Sequence, residues 1–126
     1  MKQHQTIDRK NIRFMMDLFY SQVLKDEIIA DFFIEKLGDE MISDEWQIHL
    51  NLLTDFWMST ILGESAYKGQ PIKPHIHMEG LKRASFEAWL QLFFQTVDKV
   101  YTKEPADIFK TKSKSIANNF MKLLKL

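Results

Sequence analysis

Cysteine is absent from the 126 residues. That excludes disulfides, thiolate catalysis, iron–sulfur ligation and Cys-linked attachment of a cofactor. An excess of either charge is also lacking: 17 basic and 17 acidic residues cancel to a formal net charge of zero. A neutral chain argues against nucleic acid as a main partner. No apolar run approaches the length needed to cross a membrane, and the start, MKQHQTIDRK, has no apolar signal core. No membrane association is expected, and the cytoplasm is the expected location. Glycine and proline are scarce, at four and three. There is no Gly-rich phosphate loop, no Ser–His–Asp order, no HExxH, no repeat and no low-complexity linker. No segment alternates with period two for long enough to form a strand. The expected class is all-α, with residues 1–126 as a single domain.

Aromatic residues are abundant: ten Phe, three Trp and three Tyr. That is more apolar bulk than a minimal core needs, and it leaves room for a pocket that takes a large apolar ligand. The polar first six residues are expected to fray. Asp8 caps a helix predicted to run to about Leu24, with Ile12, Met15, Met16, Phe19 and Val23 on one buried stripe and Tyr20 at its border. A short helical pattern spans Glu27 to Phe33, and Ile34 to Ile42 reads as a connection with Gly38 and Asp39 as turn residues. Ser43 caps a third helix, Asp44 and Glu45 favour its positive end, and Gly63 stops it. Its stripe is Trp46, His49, Leu50, Leu53, Trp57 and Ile61, so His49 lies on the apolar face. Ser85 opens a helix predicted to end near Tyr101, with Phe86, Trp89, Leu90, Phe93, Val97 and Val100 inward. Pro105 suits the first turn of the last helix, whose Ile108, Phe109, Ile116, Phe120, Leu123 and Leu124 are expected inward.

Tyr67 to Met78, YKGQPIKPHIHM, is the one stretch that is neither a helical pattern nor a short turn. Its His75 follows Pro74, so the backbone there is stiff. A histidine on a constrained loop between two apolar helices can be held at fixed depth, as an axial metal ligand requires. Spacing alone also fits an exposed loop histidine. His75 and His77 are two residues apart and would point to different sides of a helix, which disfavours a shared metal. Taken singly, His49 reads as a satisfied core histidine, Tyr20 as packing with its hydroxyl at the edge, and Trp89 as plain core. Together, a Tyr, a His and a Trp on the inner faces of three helices would give one apolar chamber three hydrogen-bond donors. Such a chamber suits a small polar ligand on a metal. The C-terminal lysines read as a solvated face.

Five stretches resemble one known family: LFYSQV (18–23), DFF (31–33), DEWQIHLNLLTDFW (44–57), YKGQPIKPH (67–75) and FEAWLQLF (86–93). In this order and spacing they are similar to the bacterial truncated haemoglobins of the third group, over roughly Ile12 to Val100. The first two truncated groups carry paired-glycine motifs, and this chain has no Gly-Gly. The resemblance implies a shortened globin fold, a two-on-two helical sandwich around haem b. It implies His75 as the proximal iron ligand, the PIKPH match favouring it over His77. Tyr20, His49 and Trp89 would be the distal residues. Phe33 would pack on the haem face, Leu53 and Trp57 would line the pocket, and Phe93 is expected on the same lining. Lys68 and Lys73 flank the loop, where they could pair with haem propionates, though loop lysines are common.

Three functions follow as alternatives. The first is reversible binding of dioxygen or another diatomic gas by a monomer. The second is a redox enzyme on the same haem, turning over nitric oxide or peroxide with a reductase. The third is a haem-free helical interaction module, which predicts an exposed apolar patch where the pocket is expected.

Overall fold

In the computed structural model, which describes residues 2–76 and 78–126, six helices carry the chain and no strand forms among the described residues. The helices are α1 (Arg9–Val23), α2 (Ala30–Leu37), α3 (Asp44–Leu62), α4 (Lys73–Ile76), α5 (Arg83–Val100) and α6 (Lys103–Leu123). α1 packs on α3 and α5 on α6, and cross-contacts of α1 with α5 and α3 with α6 lay one pair over the other. None of the helices is long and apolar enough to cross a membrane, among the described residues.

α1 starts as its sequence predicts. The Asp8 carboxylate accepts from the Asn11 backbone N–H at 2.8 Å, and the Asn11 side chain accepts from the Asp8 N–H at 3.0 Å. Both orphan donors of the first turn are thereby satisfied. Asn11 is itself buried, and its side-chain oxygen also accepts from the Tyr101 hydroxyl at 2.7 Å. Ile12, Met15, Met16, Phe19, Tyr20 and Val23 are all buried. Each such fully buried apolar side chain contributes about 1.5–3 kcal/mol relative to exposure.

Four boundaries and faces differ from expectation. The second helical pattern begins and ends later than Glu27–Phe33. Asp26 accepts from the Ile28 and Ile29 N–H groups, which closes a turn over residues 27–29, and the helix then runs on to Leu37. α5 starts before Ser85, whose hydroxyl instead accepts from the Lys82 N–H at 3.2 Å inside the first turn. The N-terminal segment is not frayed at His4: its N–H donates to the Val100 carbonyl at 2.8 Å, and its carbonyl accepts from Thr102 at 2.9 Å. On α6 the buried stripe is Ala106, Phe109, Ser113, Ala117 and Met121, while Ile108 and Leu123 are exposed. Small residues at helical spacing let α6 approach α5 closely, and bulk alone mispredicts that face.

The core gathers α1, α3, α5 and the first turns of α6 around Phe19, Trp46, Leu50, Phe93 and Phe109. A smaller cluster of Phe86, Ala117 and Met121 closes the far end of the α5–α6 pair. Between the two lies the feature that sets the function.

Candidate functional site

A cavity of about 330 Å³ opens among the six helices, within the size range of small-molecule sites. α3 contributes one wall with His49, Leu52, Leu53, Phe56 and Trp57, and α2 another with Phe32, Phe33, Lys36 and Leu37. α3 therefore has two inward faces. Trp46, Leu50, Thr54 and Met58 form the core face. The cavity face, with His49, Leu52, Leu53 and Phe56, is rotated from it by about one residue's angle.

Tyr20, His49 and Trp89 reach this cavity from α1, α3 and α5. The Tyr20 and His49 rings meet edge to face with centroids 5.7 Å apart. Phe33 and Trp46 close around them, Phe33 lying 5.3 Å from Tyr20 and Trp46 lying 5.6 Å from His49. Burial pushes the Tyr20 hydroxyl well above its usual range, with the Trp89 indole N–H, donating toward the Tyr20 oxygen, as a smaller opposing influence, so Tyr20 stays neutral. Burial pulls His49 down to about 4, so its imidazole is neutral at pH 7. The Nε2 atom of His49 is buried and has no hydrogen-bond partner among the described residues. Buried polar atoms are rarely left so, and this one belongs to a residue that lines the cavity.

His75 stands apart from that trio. Its ring neighbours are Phe120, at 5.0 Å, and Phe86, at 6.3 Å. The loop around it is a run of turns tied to α3 by a hydrogen bond from the Tyr67 N–H to Ser59 Oγ. What was expected to be non-helical from Tyr67 to Met78 contains the single turn α4, with the His75 N–H bonded to the Ile72 carbonyl at 2.9 Å. The His75 Nδ1 is 2.8 Å from the Pro71 carbonyl oxygen. A carbonyl only accepts, so Nδ1 carries the proton. Burial first, opposed by that hydrogen bond, holds the ring below its usual basicity, and it is neutral. Nε2 is then a free lone pair on a ring that lines the cavity. His77 lies outside the described residues.

The cavity wall includes Tyr20, Phe33, His49, Leu53, Trp57, His75 and Trp89. Phe93 is not on it. It is fully buried one layer back, stacked between Trp57 at 5.1 Å and Trp89 at 4.9 Å. Phe56, Tyr67, Phe86 and Phe120 line the cavity without having been singled out. Phe86 and Phe120 carried a signal, being large apolar residues on predicted inner faces. Phe56 lies off the main α3 stripe, and Tyr67 sits in a loop that has no periodicity. Lys68 and Lys73 are exposed and off the wall.

No three His, Asp or Glu side chains among the described residues converge to hold a metal ion. A metal carried in a macrocycle needs one protein ligand on one side, and the half-buried His75 imidazole, whose Nδ1 is already engaged, fits that requirement. No protein-family model matches the chain. It is 32% identical over 120 residues to the Group 3 truncated hemoglobin ctb of Campylobacter jejuni, covering 95% of this chain and 93% of that one. The chain belongs to the group III truncated haemoglobins. The crystal structure of the group III truncated hemoglobin from Campylobacter jejuni superposes with a TM-score of 0.89, covering 98% of this chain and 95% of that chain. The all-helical two-on-two sandwich is thus that of a truncated haemoglobin, and the cavity occupies the space enclosed by its two helix pairs.

Proposed function

We propose that the chain binds one haem b noncovalently, with His75 Nε2 as the iron's protein ligand, and holds dioxygen or another diatomic gas beside Tyr20, His49 and Trp89. The observation that carries this reading is the His75 hydrogen bond. With Nδ1–H fixed on the Pro71 carbonyl at 2.8 Å, the ring has one tautomer and one free nitrogen. Haem, when bound, would supply an iron able to take a diatomic ligand.

The chain's own residues do the rest. Phe33, Leu53 and Trp57 offer apolar surface to a flat macrocycle and keep water out, and Phe93 braces Trp57 and Trp89 from behind. Tyr20 and Trp89 donate hydrogen bonds to a ligand carrying negative charge, in surroundings where water competes little. His49 stays neutral at pH 7 and acts as a gate or a weak third contact. The same donors would polarise a peroxide bond, so turnover of nitric oxide or peroxide with a reductase is the second reading, and a turnover assay separates it from simple binding. A haem-free interaction module is disfavoured because the apolar residues enclose a cavity instead of forming an open patch.

The test is titration of haem-free protein with hemin, followed by reduction and carbon monoxide. Saturation of the Soret band at one equivalent, a b-type pyridine haemochrome and a reversible carbon monoxide shift are expected. No defined complex at one equivalent would overturn the reading.

A further inference from the structure

Among the lining residues of the cavity, Lys36 is the one that carries a formal charge at neutral pH. It sits in the last turn of α2, one turn beyond Phe32, with Phe33 and Leu37 beside it on the same wall. No aspartate or glutamate lines the cavity, and Lys36 takes part in none of the ion pairs among the described residues. Lys36 is exposed and yet lines the cavity, which suits a long side chain that lays its stem on apolar surface and keeps its charge in water.

A flat apolar macrocycle with two carboxylates on one edge enters such a cavity body first and leaves that edge at the mouth. We propose that Lys36 is the cationic anchor for those haem carboxylates, a role that Lys68 and Lys73, both off the wall, do not fill. This rests on the haem reading above and adds a residue that sets how firmly the group is held and which way round it sits. The ordinary alternative is that Lys36 merely complements the negative end of α2. In support of the anchor, Lys36 and His75 line the same cavity, so the cation and the imidazole serve one chamber.

The experiment is hemin transfer from the loaded ferric protein to excess apomyoglobin. Wild type, Lys36→Met, Lys36→Glu and Lys36→Arg are each loaded with protohaem or with its dimethyl ester, which has no carboxylate charge. Lys36→Met should lose protohaem about three-fold faster than wild type, the scale of one partly exposed ion pair. Lys36→Glu should be faster still, and Lys36→Arg close to wild type. The ratio should shrink as salt rises. With the dimethyl ester all four proteins should release at equal rates. Equal protohaem loss in wild type and Lys36→Met, or an equal acceleration with both haems, overturns the anchor while leaving the haem reading intact. A wild type that forms no haem complex overturns both.

Discussion

In the proposed function, Tyr20, Trp89 and His49 are the side chains that would separate one gas from another. Dioxygen, once held, is a strong hydrogen-bond acceptor, and carbon monoxide is a poor one. Hydrogen bonds to charged groups are worth about 1.5–3 kcal/mol, so loss of one donor should speed dioxygen release about ten-fold or more. Stopped-flow release of both gases from wild type, Tyr20→Phe and Trp89→Phe should show that gain for dioxygen and little change for carbon monoxide. Equal acceleration of both gases would make these side chains packing. His49 gives a pH signature. Its value of about 4 in the fold lies below 6.5 in the unfolded chain. Below pH 6.5 the unfolded chain takes a proton that the fold refuses, so this contribution is complete above 6.5 and is lost as pH falls toward 4. The loss amounts to about 3 kcal/mol at its limit. Denaturant titrations of haem-free wild type and His49→Leu should diverge over that window, with the variant the flatter. Parallel curves would mean that His49 titrates as if in water. That these three meet at one cavity was legible because each is a polar group on or beside an apolar stripe. Phe93 was misplaced because a stripe reports burial but not which layer of the interior a ring occupies.

At the scale of elements, the sequence announced its caps more clearly than its faces. Asp8, Ser43 and Gly63 bound α1 and α3 as expected, because capping is a local hydrogen-bond problem. α2 was misjudged because its start depends on the Asp26 turn and its end on Gly38, beyond the apolar residues. Gly38 has φ 81° and ψ −176°, a region that residues with a side chain avoid. Its N–H donates to Ile34 at 2.8 Å and its carbonyl accepts from the buried Trp46 indole at 2.8 Å, so it ties the α2 wall to the α3 core. A Cβ there would meet nothing within 4 Å, so the cost of Gly38→Ala is conformational. Chemical denaturation should show a loss of about 1–3 kcal/mol. Wild-type stability would mean that the backbone relaxes there without cost. The double face of α3 was hidden for a different reason: a single stripe was fitted where the core and a cavity each claim part of one helix.

For the whole molecule, the all-α class followed from helical periodicity and the lack of any strand pattern, the two-on-two pairing was implied by the family resemblance, and 32% identity over 95% of the chain agrees with both. The cavity itself was less legible. It is assembled from all six helices and the 67–72 loop, and no local pattern records that Phe56, Tyr67 and Lys36 converge. The proposed function turns on one nitrogen, Nε2 of His75, since Nδ1 is engaged with the Pro71 carbonyl. The direct test is the absorption spectrum of hemin-reconstituted His75→Gly, ferric and reduced with carbon monoxide, with and without added imidazole, beside wild type and His77→Ala. The account predicts that His75→Gly loses the wild-type spectrum, that imidazole restores it, and that His77→Ala keeps it throughout. A wild-type spectrum in His75→Gly without imidazole would contradict it.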